Sequence, residues 1–169
     1  IENRTKPICK VPTIGIGNKP IDDGNYLFTK EEMEKFIKLE PKSEQYFRPW
    51  YGAVEFIQQK PRYCLWLGEC SPSELRSMPH CMERVKNVRE FRLASKSEGT
   101  RKIADSPTRF HVENMPKSSY IVIPLHSSEN RKYIPIGFLS PDNLCSNAVE
   151  LLSNVSLYHF GVLTSTMHM

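Results

Sequence analysis

The segment HSSENRKYIPIGF, residues 126–138, sets a carboxylate, an amide and two cations in a row, Glu129, Asn130, Arg131 and Lys132, between two apolar β-branched runs, YIVIPL and YIPIGF. A connection between paired strands ordinarily carries Gly, Asn-Gly or Asp-Gly, because those residues accept the left-handed backbone of a tight turn. Here it carries groups that can read base edges: arginine donates twice to guanine O6 and N7, and glutamate accepts from the cytosine N4 amine. In an extended segment residues i and i+2 face the same side. Glu129 and Arg131 are therefore expected to project together as a base-reading pair suited to a C·G or G·C step. The competing reading is a surface ion pair between the two, which stabilises by about 0–1 kcal/mol.

Other chemistry finds little support. His126-Ser127-Ser128 has no GxSxG context, and adjacent residues on a strand or turn do not form a nucleophile and its base. His80-Cys81 lacks further residues at metal-ligand spacing, and Met167-His168-Met169 falls in an apolar periodic segment where packing is the simpler role. GIGNKP, residues 15–20, has neither the third glycine nor the GK[ST] of a phosphate loop and reads as turn chemistry. With no NPPY-type methylation signature and no glycine-rich cofactor motif, we expect no catalytic residue, no metal and no cofactor in this chain. The alternatives are a catalytic fragment supplying, for instance, His126, and an RNA- or protein-interaction module. Few aromatics interleave the cations, which disfavours single-stranded RNA.

The net charge of +4 is unevenly spread. Residues 79–132 carry 11 Lys and Arg against 6 acids, while residues 133–169 carry no Lys or Arg at all. That surplus is a modest footprint for a polyanion. It coincides with a helix expected from Pro79 to about Lys96, on which Val85, Arg89, Arg92 and Lys96 share a stripe that is apolar in its first half and basic in its second. The end of this helix is expected to leave the core and meet something anionic. SKSEGTRK, residues 95–102, continues with hydroxyls, a glycine and two cations, the partners that phosphate oxygens take. The phosphate-binding set read from this pattern is Arg89, Arg92, Lys96, Arg101 and Lys102, with Lys132 beside the base-reading pair.

The elements that must position these groups follow from local signals. Thr29 with Glu32 is a capping box opening a helix whose expected buried face is Met33, Phe36, Ile37 and Leu39. RYCLWL is a strand apolar on both faces and hence internal. SPSEL combines an N-cap, a proline at the first helical position and a capping glutamate. Residues 120–125, 133–138 and 148–152 read as strands, the first two as edge or bulged strands because they contain Pro124 and Pro135. A helix starting near Ser156, with Leu157, Phe160, Leu163 and Met167 as its apolar face, comes last. The fold class expected is α+β: one domain over residues 1–169, a mixed or antiparallel sheet with flanking helices.

At 169 residues, 39% hydrophobic and 25% charged, the chain is long enough for one core. No apolar run reaches the length of a membrane span and no signal-peptide pattern opens the chain, so a soluble, cytoplasmic protein is expected. Five cysteines without CxxC spacing suit a reducing compartment. A start at Ile1 and a stop inside a periodic apolar segment are what an excised piece of a larger polypeptide would show.

GNKPIDDGNYLF, RYCLWL, VREFRLASKSEGTRKIADSP, SSENRKYIPIGF and LYHFGVLTSTMHM, in this order along nearly the whole chain, resemble the target recognition domain of MmeI-like type II restriction-modification enzymes and related adenine-specific DNA methyltransferases. The resemblance implies a DNA target-recognition fold that binds double-stranded DNA beside an N6-adenine methyltransferase domain of the same polypeptide. It implies S-adenosylmethionine and base flipping for the complete enzyme, with the residues for both outside this chain. It also implies that the SSENRKY segment reads bases, through Glu129 and Arg131.

Overall fold

The computed structural model describes residues 9 and 11–165. In chain order the elements are β1 (Ile14–Ile16), β2 (Leu27–Phe28), α1 (Lys30–Leu39), β3 (Phe47–Tyr51), α2 (Ala53–Gln58), β4 (Arg62–Leu65), α3 (Pro72–Arg76), α4 (Pro79–Leu93), α5 (Glu98–Lys102), β5 (Tyr120–Pro124), β6 (Gly137–Leu139), β7 (Leu144–Cys145), β8 (Val149–Leu152) and α6 (Leu157–Leu163). Short 3-10 turns at Pro41–Tyr46 and Ile103–Asp105 complete them. The strands form two four-stranded sheets rather than one, ordered β2-β4-β3-β7 and β1-β8-β5-β6. The first is mixed, because β3 and β7 run parallel; the second is antiparallel throughout. No helix among the described residues is long and apolar enough to cross a membrane, and no cluster of metal-ligating side chains occurs among them.

The helix starts read from sequence are present as hydrogen bonds. Thr29 and Glu32 cap α1 reciprocally, and Ser71 and Glu74 do the same for α3. Those bonds hold both glutamates below the usual carboxylate range. Helix α1 buries Phe36 but leaves Leu39 exposed, since the chain turns at Pro41 before Leu39 meets the core. Phe28, Phe36 and Phe47 meet edge-on, with centroids 5.1 to 6.0 Å apart, over the β2-β4-β3 surface. The Arg84 guanidinium lies 4.3 Å from the Phe28 ring centre and donates to the carbonyl of Asn25.

Strand β4 is internal, as its apolar pattern indicates. Strand β5 is internal as well, contrary to the expectation for a proline-bearing strand. Its partner β6 spans only Tyr120–Val122, so Pro124 lies past the reach of that neighbour, where a missing N–H costs no bond on the β6 side. Residues 133–136 are not strand. The Ile136 N–H turns back to the Ile134 carbonyl at 2.9 Å, and the ladder resumes only at Gly137, beyond Pro135.

The two sheets meet where the N-terminal segment passes the β7–β8 corner. Gly17 sits so close to the Cys145 and Ser146 carbonyls that a Cβ there would clash with backbone. Beside it the fully buried Asn18 accepts from the Asn114 N–H and donates to the carbonyls of Cys145 and Asn114. Gly17 of GIGNKP thus serves close approach of backbones rather than a phosphate or a tight turn.

Helix α4 corrects the sequence reading. Its buried residues are Cys81, Val85, Val88 and Arg92, and Arg92 is 0% exposed. Its guanidinium donates to five carbonyls: Nε to Ile21 at 2.9 Å, Nη1 to Ile103 at 2.9 Å and Ser106 at 3.1 Å, Nη2 to Pro20 and Arg109, each at 2.8 Å. All five N–H groups have acceptors, so nothing remains for phosphate and Arg92 leaves the phosphate-binding set. Burial draws its pKa down, while Tyr26 and the buried Asp22 act the other way. The helix ends at Leu93, and only Arg89 and Lys96 of the expected stripe's cations are exposed.

The other end of α4 has a long-range cap. Met78 offers no capping side chain, and the Glu40 carboxylate, 6% exposed, accepts from the His80 N–H at 2.7 Å and the Cys81 N–H at 3.4 Å. Negative charge there also complements the positive end of the helix dipole.

Replacing Arg92 by Met leaves the carbonyls of Pro20, Ile21 and Arg109 without a partner among the described residues, while those of Ile103 and Ser106 keep the N–H groups of Ser106 and Arg109. Since a buried unsatisfied group costs about 1–3 kcal/mol, a loss of at least about 3 kcal/mol is expected in urea denaturation. Arg89→Ala, on the exposed face, should stay within about 0.5 kcal/mol of the parent; equal effects would refute the buried assignment. Glu40→Ala should cost about 1–2 kcal/mol by thermal unfolding, in the range of a lost helix cap.

Candidate nucleic-acid interface

The connection from β5 to β6, residues 125–136, is far longer than the about 2–5 residues of an ordinary hairpin loop. Residues 125–134 are all exposed. Its exposed part contains a turn at Ser128, Glu129, Asn130 and Arg131. The Arg131 N–H donates to the Ser128 carbonyl at 3.0 Å, and the Asn130 N–H donates to Ser128 Oγ at 3.2 Å. A serine hydroxyl holding the backbone two residues on replaces the Gly or Asn-Gly that the sequence lacks.

This geometry revises how Glu129 and Arg131 are placed. Glu129 is a central turn residue and Arg131 closes the turn, so the chain between them reverses instead of extending, and the same-side argument for the pair does not apply. No ion pair joins them, which removes the competing surface-pair reading. Arg131 lines an open groove of about 660 Å³ to which Glu129 does not contribute. Lys132, exposed, holds its ammonium 5.4 Å from the Tyr133 ring centre.

The groove lies between α2, the start of β4 and the loop. Its floor includes Trp50, Ala53 and Ile57, and its rim includes Arg62, His126 and Arg131. The Glu55 carboxylate on its wall is occupied by the Gly52 N–H at 3.0 Å. The side chains of Arg62, Gln58, His126 and Arg131 bond to no other described residue and keep their donors for an external acceptor. Arg62 and Gln58 were not singled out in the sequence. They join the site only through pairing between segments far apart in the chain, for which no local pattern exists.

The cationic corner after α4 is a second cluster. Arg89, Lys96, Arg101 and Lys102 are exposed. Arg101 braces the corner by donating from Nη1 to the carbonyls of Ser95 and Lys96, at 2.8 and 2.9 Å. Lys102 pairs with Glu98 at 2.9 Å, both largely exposed, a bond weak enough in water to exchange for a stronger anion. Ser97 caps α5 through the Thr100 N–H. The imidazole of His80 packs against Phe36 and Cys81 is core, so neither belongs to a site. Met167, His168 and Met169 lie outside the described residues.

Comparison with known proteins agrees with this architecture. The family described as "MmeI, target recognition domain" matches residues 1–169. DNA methyltransferase A of Bacillus subtilis (strain 168) is 38% identical over 169 residues, covering all of this chain and 19% of that protein. A solved structure of the type IIL restriction-modification enzyme MmeI in complex with DNA superposes with a TM-score of 0.93 at 47% identity, over 98% of this chain and 22% of the other. This chain therefore spans about a fifth of the length of those relatives. With the family model matched over the whole chain and the solved relative superposed over 98% of it, the chain belongs to the family of MmeI target recognition domains.

Proposed function

We propose that this chain is the sequence-reading domain of a site-specific N6-adenine DNA methyltransferase of the restriction-modification type. It holds duplex DNA so that a methyltransferase domain of the same polypeptide, using S-adenosylmethionine, modifies one adenine. The observation that carries the proposal is the exposed Ser128–Arg131 turn beside a groove of unspent donors, in a domain whose solved relative is a restriction-modification enzyme in complex with DNA. Cation surplus in residues 79–132 supplies the sequence-independent attraction. The chain's own part is binding, and catalysis with its cofactor belongs to the remainder of a cytoplasmic enzyme.

In this assignment Glu129 and Arg131 contact base edges in the major groove. Arg89, Lys96, Arg101, Lys102 and Lys132 contact phosphates. Because the turn separates the two base readers in direction, each contributes its own contact rather than one shared fork. The expected discrimination is about 1–3 kcal/mol for each good bidentate contact.

Replacing Glu129 and Arg131 together in the full-length enzyme should change or relax the base accepted within the target while methylation persists. Genome-wide mapping of methylated adenines reads this out, and an unaltered recognition sequence at normal activity would sink the base-reading assignment. Lys96→Gln and Arg89→Gln should instead weaken binding to all duplexes alike. Each should lower the slope of log affinity against log salt by about one, as expected for a lost phosphate contact. Titrations at several salt concentrations that left both affinity and slope in place would put the phosphate surface elsewhere.

A further inference from the structure

One face of the antiparallel sheet is finished by a core and the other is not. On the inner face Tyr120, Val122, Val149 and Leu151 pack with Phe56. On the outer face the pairing aligns one residue from each strand, Ile14, Leu152, Ile121 and Phe138, in a single apolar row. The middle of that row is closed, with Leu152 at 5% and Ile121 at 0% exposure, while its ends are open, with Ile14 at 46% and Phe138 at 37%.

Helix α6 lies on this face, against Phe138 and beside Leu152, and is too small to cover it. Its seven residues make a helix about 10 Å long, whereas the outer strands of a four-stranded sheet stand about 14 Å apart. Phe160 stacks on Phe138 at 5.4 Å, and Tyr158, Val162 and Leu163 border an apolar groove of about 420 Å³ over Ile14, Leu152 and Val11. The helix is apolar on its outer side too, with Leu157 79% and Tyr158 75% exposed. A helix apolar all round belongs between two layers, and among the described residues no second layer covers α6. An exposed apolar patch of this extent marks an interaction surface.

Charge selects the class of partner. Residues 11–18 and 151–165 contain no Lys, Arg, Asp or Glu, and the one acid among the outward-facing residues of the paired strands is Glu150, beside that row and opposite Ile16 and Ile123. A surface without cations and with one carboxylate does not attract DNA. The relatives are about five times longer than this chain, so four fifths of their length lies outside the matched portion. Residues at both ends of the described chain, Cys9 and Leu163, line this groove.

We propose that the β1–α6 face is the docking surface for an apolar protein surface elsewhere in the same longer polypeptide, and that α6 is buried between the two. The proposal does not depend on which residues read DNA.

Hydroxyl-radical footprinting of the full-length protein without DNA tests it, using two tyrosines of one molecule. By exposure in this chain Tyr158, at 75%, should be oxidised faster than Tyr133, at 52%. Docking reverses the order: Tyr158 should react several-fold more slowly than Tyr133 at every protein concentration. Oxidation of Tyr158 at or above the rate of Tyr133 overturns the proposal. So does protection that fades on dilution, which would mark a second copy, protection that appears only with DNA, or equal protection in the 169-residue chain alone, which would mark its own terminal residues.

Discussion

The guanidinium of Arg92 is the contact on which the arrangement of the cationic corner depends. It reaches backbone from three places, the 20–21 segment before the first turn, the 103–106 turn after α5, and Arg109, and fixes all three against the end of α4. None of those segments is regular sheet, and the carbonyls of Pro20, Ile21 and Arg109 have no other hydrogen-bond partner among the described residues. A planar group with five donors can satisfy five acceptors at once, which no lysine could do. Arg101 and Lys102 therefore stand on a base held from below, and a patch that looks like loose surface is presented from a fixed frame.

The same residue marks where sequence reading stops. The spacing Cys81, Val85, Val88, Arg92 is a buried stripe, and its fourth position lies on the core side as the helical period requires. The charge of arginine suggested the opposite. A local pattern gives the direction in which a residue points, but the acceptors that make burial tolerable come from segments distant in the chain and leave no local trace. Capping boxes at Thr29 and Ser71 were legible because both partners lie within four residues. The cap of α4 was not, since Glu40 lies far from His80 in sequence. Strands β4, β5, β6 and β8 were legible from apolar runs, whereas β1, β2, β3 and β7 were not, and the extent of β6 depends on where the chain after Pro135 rejoins its neighbour.

Residue types at the candidate interface were legible too, and their geometry was not. Glu129 and Arg131 stand out because a connection without turn formers must be held by something else, and Ser128 supplies it through its hydroxyl and carbonyl. That substitution changes the arrangement from extended to reversed. It leaves Arg131 beside Arg62 and His126 at the groove and Glu129 at the tip of the turn.

The reading role proposed for this loop would have a mechanical rationale. Its near end hangs from β5, an inner strand paired on both sides and packed by Tyr120 and Val122, so its anchor is among the most rigid parts of the sheet. Its own side chains are exposed and hold the rest of the fold through few bonds, so exchanging them disturbs little packing. On the proposed assignment stability and reading would be carried by different residues: the buried Arg92, Glu40 and Asn18 hold the frame, and the side chains of the turn at 128–131 are exposed. Glu129 and Arg131 are exposed and form no ion pair with each other, so exchanging one breaks no bond to the other.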